Sequence, residues 1–340
     1  MEELTESYSP KNVLFREEQI QQIQEVYADF QDGDSANRIA IGPTGSGKSV
    51  TIKKTLETLD RESYVYVSCA DLRTSKKIFR KFSGCPDLSA AIEKFKGNRK
   101  IIILDEVNKI SNLPEFFDDL NTFFRDTGCS FILITNKVTT RRKMPDDAKR
   151  TLWFEDIKFP PYNAVQIKEI ILSRLQEAAD NQKQIPAIHE DVIPYISALS
   201  SNEEYSMRFA LKLLNQCIKR EKYGHDEIKD IFGKIQTEEK LAWLESLLDN
   251  EKDLLRMMVR MTLEKQDNRM ANDEILRSYQ LFSKQRLSQV LSKFEDLDLI
   301  KSEITWEQGQ KSKIISFQSE EDFNALVKFF EVNGHSLVAR

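Results

Sequence analysis

The chain has 340 residues, of which 40% are apolar and 31% charged, so it is long enough for two or three domains that each bury a core. A formal net charge of −5 argues against general polyanion binding along the whole molecule. The longest purely aliphatic run is residues 101–104, and the acidic N-terminus has no apolar segment, so neither secretion nor a membrane span is expected.

The four cysteines and three histidines are dispersed along the chain. No C-x-x-C pair occurs, and no His or Cys spacing resembles a zinc site. We therefore expect reduced cytoplasmic thiols that pack as small apolar side chains.

A glycine-rich motif follows the first strand-like run, residues 38–41, and precedes a helical run, residues 50–59. Residues 42–49 read GPTGSGKS, which fits G-x-x-x-x-G-K-[ST], a loop whose main-chain N–H groups surround phosphates. Lys48 would neutralise phosphate charge, and the Ser49 hydroxyl would bind Mg²⁺. The motif predicts ATP and Mg²⁺ as cofactors, against the alternative of an ordinary strand–turn–helix. The predicted contacts are Pro43, Thr44, Gly45, Ser46, Gly47, Lys48 and Ser49.

Further strand-like runs alternate with helical segments. They are residues 64–68, 101–105, 131–135 and 152–159. This alternation predicts an α/β fold with a parallel sheet covered by helices on both faces, in which ligands bind at the carboxyl ends of the strands.

Polar residues follow two of these strands. Asp105 would hold Mg²⁺ through water, and Glu106 would orient or deprotonate the attacking water. Asn136 would contact the γ-phosphate or that water. The alternatives are a solvated acidic turn and an asparagine that caps a turn.

Beyond Tyr162 the pattern becomes helical, with Asn163 as a predicted N-cap. Helices are expected near residues 163–179, 190–199, 203–222 and 226–235, which together resemble the helical lid of an AAA+ ATPase. Arg208 lies one turn before an apolar face, so that it would reach the γ-phosphate. The alternative is a surface arginine on an amphipathic helix.

The C-terminal part predicts a winged helix, with helices at 250–264, 272–279 and 284–297 and two strands within 300–317. Residues 256–293 carry eight basic and four acidic side chains, a local charge of +4 that suits duplex DNA. The alternative is a winged helix that binds protein. The predicted DNA contacts are Lys284, Gln285, Arg286, Ser288, Gln289 and Lys293 on the third helix, and Lys311 and Lys313 in the wing.

Several of these stretches together resemble the AAA+ replication-initiator family, the archaeal initiators related to the origin-recognition complex and its cell-division-cycle paralogue. The similar segments are residues 8–10, 14–20, 37–49, 103–107, 159–163, 207–211 and 250–318. The resemblance implies a nucleotide-binding domain at 1–160, a helical lid at 161–248 and a winged-helix domain at 249–340. It also implies nucleotide contacts at Val13, Leu14, Phe15, Arg16 and Tyr162.

The chain departs from the family pattern at three places. Tyr205 and Ser206 stand where Gly-Asp usually precedes the lid arginine, and the stretch 68–100 is short for the family's helical insertion. Asp147 stands where a trans-acting arginine is expected, which leaves Arg141, Arg142 and Arg150 as candidates for that role.

The sequence thus favours a slow ATPase that recognises origin-like double-stranded DNA, with ATP as a conformational switch. Further implied partners are a replicative helicase or other copies of the chain, and the expected location is cytoplasmic, at the nucleoid. One alternative is a regulatory or defence AAA+ NTPase whose winged helix binds a protein. Another is a ring-forming loader or motor subunit.

Overall fold

The sheet, its covering helices and a separate C-terminal body are seen in a computed structural model of the chain. It describes residues 1–5, 7–181, 183, 186–201, 206–245, 247–295, 299–307 and 310–332, with the backbone alone at 237, 239–243, 245, 306–307, 310–311, 321–322 and 332. The chain divides into two units, Met1–Ile228 and Lys229–Arg340. The predicted domain boundaries after 160 and 248 stay predictions.

The helices and strands of the first unit follow one another in the predicted alternation. In chain order they are α1 (Glu17–Gln31), β1 (Asn37–Ile41), α2 (Lys48–Leu56), β2 (Tyr64–Ser68), α3 (Ser75–Ser83), α4 (Leu88–Phe95), β3 (Ile101–Asp105), α5 (Leu113–Thr127), β4 (Ser130–Thr135), α6 (Thr139–Arg142), α7 (Asp146–Leu152), β5 (Glu155–Lys158), α8 (Ala164–Asp180), α9 (Val192–Ser200), α10 (Met207–Arg220) and α11 (His225–Glu245), the last of which continues past Ile228.

Strands β1 to β5 form a parallel sheet in the order β2-β3-β4-β1-β5, which confirms the predicted α/β sheet. Strand β3 shows why both faces are covered. Ile102 and Leu104 lie in one apolar core with the phenylalanines of α3 and α5, and Ile101 and Ile103 lie in another with α1 and α2. A strand that buries both faces needs a continuous aliphatic run rather than alternation.

The parallel arrangement brings the carboxyl ends of the strands to one edge. Ile41 pairs with Thr135 of β4, and Ser68 pairs with Asp105 of β3. The glycine-rich loop joins the end of β1 to α2 at this edge, and Gly47, with φ +89°, is the residue before the first turn of α2. The fold therefore sets the loop beside the acidic strand end.

Helices α8, α9 and α10 pack on one another after the sheet. Helix α8 begins as predicted at an Asn163 N-cap, whose side chain accepts from Gln166 N at 2.9 Å while Gln166 Oε1 accepts from Asn163 N at 3.1 Å. The N-terminal segment lies against α8, where Tyr8 Oη donates to Glu177 Oε2 at 2.8 Å. Tyr205 lies outside the described residues.

The second unit shows the predicted order of helices followed by a hairpin. Its elements are α12 (Asp249–Lys265), β6 (Met270–Ala271), α13 (Asn272–Ser278), α14 (Lys284–Glu295), β7 (Ile300–Glu307), β8 (Gln310–Phe317) and α15 (Glu320–Val332). Strands β7 and β8 pair antiparallel, and β6 adds to β8. The apolar face of α14, which includes Leu287, Val290 and Phe294, packs into the core of this unit.

Within the part of the chain that the structure describes, none of the helices combines the length and the apolar character needed to cross a bilayer.

Candidate nucleotide-binding site

A cavity of about 420 Å³ opens at the carboxyl edge of the sheet in the first unit. Its walls come from the N-terminal segment, the glycine-rich loop, the ends of β3 and β4, helix α8 and the start of α10. This volume falls within the range of small-molecule sites. The predicted site residues that line it are Val13, Leu14, Thr44, Gly45, Gly47, Lys48, Ser49, Asp105, Glu106, Asn136, Tyr162 and Arg208.

The loop has the backbone that a phosphate cradle needs. Gly45 and Gly47 have φ of +74° and +89°, the left-handed region that favours glycine. A Cβ on Gly47 would lie 2.6 Å from Tyr162 Oη, and one on Gly45 would lie 2.3 Å from the Ser206 side chain. The loop is therefore closely packed against Tyr162 on one side and the residue before α10 on the other.

Lys48 points over this loop. Its Nζ donates to the carbonyl oxygens of Gly42 and Pro43, both at 2.7 Å. Burial lowers the pKa of Lys48 to about 8, against the opposing influence of the Asp105 carboxylate. The buried ammonium is thus short of compensating negative charge, which a polyphosphate would supply.

Oxygen donors gather beside Lys48. Tyr66 on β2 donates its hydroxyl to Asp105 Oδ2, and Ser49 is near enough to the same phenol to lower its pKa. Burial, followed by the Asp105 charge, raises the pKa of Tyr66, so the phenol keeps its proton. A hydroxyl and a carboxylate on adjoining elements are donors of the type that Mg²⁺ takes together with phosphate oxygens, so Ser49 and Asp105 fit the predicted metal role.

The two predicted strand-end residues also reach the loop. Asn136 Nδ2 donates to Thr44 Oγ1 at 3.4 Å, which brings the end of β4 to the phosphate cradle. Glu106 is exposed and lines the cavity. Its φ of +60° is unusual for a residue other than glycine, so it lies on a strained turn. This placement suits a residue that orients water rather than one that binds metal directly.

Arg208 occupies the second position of α10 and lines the cavity. Its charge contributes to lowering the pKa of Lys48, so the two cations act on the same region. Two cations around one space favour an occupant with several negative charges.

Four predicted contacts do not line the cavity. Arg16 is buried behind the loop, where Nε and Nη2 donate to Ser46 O at 3.1 and 2.9 Å, and its guanidinium stacks on the Tyr162 ring at 3.8 Å. Ser46 Oγ donates to Pro43 O at 2.8 Å. Phe15, with φ +60°, lies at the turn before α1. Arg16 therefore holds the loop, and its nucleotide contact stays a prediction together with those of the other three.

Several lining residues are absent from the sequence-based prediction. Tyr8, Ile170, Ser173, Arg174, Met207 and Leu211 complete the wall formed by the N-terminal segment, α8 and α10. A signal existed for Arg174, because it occupies one position of the apolar i, i+3, i+4, i+7 stripe of α8 that contains Ile167, Ile170 and Ile171. A charged residue in such a stripe indicates a special environment.

The candidates for a trans-acting arginine lie apart from the cavity. Arg141 Nη1 pairs with Asp156 at 2.6 Å, and Arg150 on α7 pairs with Asp147 at 3.2 Å while keeping 79% of its side chain exposed. Arg142 is exposed as well. Arg150 is thus more accessible than Arg141, and a trans-acting role for it stays a prediction.

The second unit presents one polar face of α14. Lys284, Gln285, Ser288 and Gln289 are exposed on it. In the wing, Lys313 pairs with Glu295 at 3.1 Å, and the side chain of Lys311 lies outside the described residues.

Arg286 and Lys293 differ from their neighbours on α14 because a buried carboxylate holds them. Glu251 of α12 is 2% exposed and accepts from Arg286 Nη2 at 3.3 Å, from Lys293 Nζ and from Leu248 N at 3.2 Å. The side chains of Arg286 and Lys293 remain 42% and 41% exposed. Their first observed function is therefore to fix α14 on α12.

Comparison with known proteins agrees with this fold. Residues 36–143 match the family model for the AAA domain. The ORC1-type DNA replication protein of Pyrococcus horikoshii is 26% identical over 276 residues, 71% of this chain and 63% of that protein. ORC1-type DNA replication protein 1 of Archaeoglobus fulgidus is 24% identical over 96% of this chain and 89% of that protein. The chain thus spans less than two thirds of the first of these relatives.

Among solved structures, the Aeropyrum pernix ORC1 protein in complex with DNA superposes with a TM-score of 0.79 at 22% identity, over 96% of this chain and 95% of that one. Cdc6p from Pyrobaculum aerophilum gives a TM-score of 0.57 at 16% identity, over 97% and 98%. At these identities the likeness concerns the fold.

The glycine-rich loop and the acidic strand end lie within residues 36–143, so this part of the chain is a P-loop domain of the AAA class. The relatives are ORC1-type DNA replication proteins, so the chain is similar to the archaeal origin-recognition initiators, the family that its sequence resembles.

Proposed function

We propose that the chain is an ATP-dependent replication initiator that binds duplex DNA and hydrolyses ATP slowly. The observation that carries the nucleotide part is the cavity where Lys48, Ser49, Asp105, Asn136 and Arg208 meet around the loop. The AAA domain match and the ORC1-type relatives support the same activity.

Each residue of the cavity has a definable role in that activity. Lys48 and the main-chain N–H groups of the loop bind the phosphates, and Arg208 adds charge from α10. Ser49 and Asp105 would hold Mg²⁺, which when bound neutralises charge on the transferred phosphoryl group. Glu106 accepts a proton from, or orients, the attacking water, and Asn136 fixes the γ-phosphate side.

The test separates binding from turnover. Lys48→Ala should abolish ATP retention, because it removes the buried cation of the loop. Glu106→Gln should retain ATP and lose hydrolysis, because the amide keeps the size but not the basicity. Calorimetry and phosphate release measure the two properties, and equal losses of both in both variants would contradict these assignments.

The DNA part of the proposal concerns the exposed polar face of α14. The ORC1 relative of Aeropyrum pernix was solved in complex with DNA, and the same fold in this chain supports duplex DNA as its ligand. Lys284 would contact phosphate, and Gln285 and Gln289 would reach base edges, because amide side chains carry both a donor and an acceptor. With about four phosphates neutralised, affinity should fall with salt with a log–log slope of about −4.

Variants on that face distinguish DNA from a protein partner. Gln289→Ala should relax sequence preference in DNA selection, and Lys284→Ala should weaken all duplexes and flatten the salt slope by about one. Lys328→Ala, an exposed lysine of α15, is the matched control. Failure of the wild-type chain to retain any duplex at low salt would favour the protein-binding alternative.

ATP is proposed to act as the switch for DNA binding, with the full chain as the test material. Duplex affinity and choice should differ between the ATP-filled protein and the Lys48→Ala variant, and identical binding curves would refute the switch. A replicative helicase and other copies of the chain remain the proposed further partners, and the proposed location is the nucleoid in the cytoplasm.

A further inference from the structure

The unexplained feature of the cavity is the guanidinium of Arg174 on α8. It is 8% exposed, it lines the cavity, and its Nη1 has no hydrogen-bond partner among the residues that the structure describes. Burying a cation with an unmade hydrogen bond is costly, and such groups in native proteins require an explanation. A ligand acceptor in the cavity is the simplest one.

The neighbours of Arg174 are already committed to one another. Its guanidinium lies over the Tyr8 ring, 5.0 Å from the centroid. Glu177 is the nearest carboxylate in sequence on α8, but it accepts from Tyr8 Oη at 2.8 Å and from Lys11 N at 3.2 and 3.3 Å. Within the described residues, Arg174 makes no ion pair with it closer than 4 Å. Burial accordingly lowers the pKa of Arg174.

Arg174 has different neighbours from Lys48: Lys48 Nζ donates to carbonyl oxygens of the loop, whereas the Arg174 guanidinium lies over the Tyr8 ring of the N-terminal segment. The charged groups that act on Lys48 are Asp105, Arg208 and Glu106, whereas Glu177, Tyr8 and Tyr162 act on Arg174. The loop and the strand ends account for the triphosphate. The wall around Arg174 is formed instead by α8 and the N-terminal segment, with apolar Ile170, Val13 and Leu14. Such a wall suits the nucleoside.

We propose that Arg174 is a specificity residue whose guanidinium, which lines the cavity, donates a hydrogen bond to an acceptor atom of the nucleoside, either a ribose hydroxyl or a ring nitrogen of the base. This assignment rests on the proposed nucleotide function of the cavity. It makes α8 the element that distinguishes a nucleotide from a bare polyphosphate.

The experiment compares Mg²⁺-ATP with Mg²⁺-tripolyphosphate, using calorimetry on the full-length wild-type chain and on Arg174→Met. Methionine keeps much of the length and removes the donors. ATP affinity should fall about 10- to 100-fold, the range for a lost hydrogen bond to a charged group. Tripolyphosphate affinity should fall much less, because Arg174 acts on it only through its charge and makes no contact with it. Lys168→Met, which removes a positive charge from the same helix, should leave both affinities unchanged.

ATP analogues identify the acceptor. 2′-Deoxy-ATP, 3′-deoxy-ATP, 1-deaza-ATP, 3-deaza-ATP and 7-deaza-ATP each lack one acceptor. The analogue that lacks the atom contacted by Arg174 should bind the wild type as weakly as ATP binds Arg174→Met, and the variant should no longer distinguish it from ATP.

Two results would overturn the assignment. One is an equal loss of ATP and tripolyphosphate affinity, and the other is unchanged ATP affinity in Arg174→Met. If that variant does not fold, Arg174→Lys keeps the charge without the planar fork and should lose ATP affinity selectively. Unfolding of both would show a structural role and also overturn it. Failure of the wild type itself to retain ATP would instead refute the proposed function.

Discussion

The tight contact between the loop and Tyr162 gives a prediction for Gly47→Ala. Gly47 has φ +89°, where a Cβ costs about 1–2 kcal/mol. That Cβ would also lie 2.6 Å from Tyr162 Oη and 3.4 Å from Cζ. Tyr162 is 7% exposed and stacked under Arg16, which itself is bonded to the loop, so the ring cannot yield without moving these partners.

The contact adds a second term to the cost of the substitution. Forcing extra atoms into a packed region typically costs about 1–3 kcal/mol. The total for Gly47→Ala is therefore about 2–5 kcal/mol, divided between folding stability and ATP affinity. Each 1.4 kcal/mol expressed in binding would raise the Kd about tenfold.

Gly33→Ala is the matched control for the backbone term. Gly33 has φ +93°, and a Cβ there would meet nothing within 4 Å. It should lose only the backbone cost, about 1–2 kcal/mol, and bind ATP normally. Urea unfolding and calorimetry measure both quantities. Equal stability losses in the two variants, with wild-type ATP affinity in both, would refute the view that Tyr162 constrains the loop.

The other predictions concern side-chain pairs. Glu251→Gln should lower the unfolding free energy by about 1–3 kcal/mol in chemical denaturation, because it weakens charge-assisted bonds to a buried carboxylate. Asp253→Asn alters a partly exposed pair with Arg256 and should cost less than about 1 kcal/mol. Equal costs in the two variants would contradict this. Tyr66→Phe should raise the Mg²⁺ concentration needed for ATP retention several-fold in a metal titration without lowering the melting temperature, and an unchanged Mg²⁺ requirement would exclude a positioning role. For Glu3, burial would raise the pKa, but hydrogen bonds from Lys183 and Asn181 outweigh it and lower the pKa to about 2. The ionised Glu3 carboxylate therefore stabilises the fold above about pH 4.5, and this stabilisation is lost toward pH 2. The melting-temperature difference between wild type and Glu3→Gln should shrink over that window. A constant difference would refute this prediction.

The sequence determined those features that depend on local pattern. The motif at 42–49 located the phosphate loop, since glycines and one lysine at fixed spacing serve one backbone geometry. The aliphatic run of β3 indicated a strand buried on both faces, and the alternation of strands and helices indicated a parallel sheet. Together these two patterns placed Asp105 at the edge where the loop lies. Asn163 marked the start of α8 because its cap forms within four residues.

Tertiary structure alone decided the partners of long side chains. Tyr66 meets Asp105 only because β2 and β3 are neighbours in register. Glu251 accepts hydrogen bonds from Arg286 and Lys293 and so gives them a structural role, which the basic pattern of α14 did not reveal. Tyr8 and Arg174 lie near opposite ends of a long stretch of sequence, and only the fold brings the Arg174 guanidinium over the Tyr8 ring. Periodicity tells which face a residue lies on, whereas its charge partner depends on which distant element packs against that face, and this is set by the whole core.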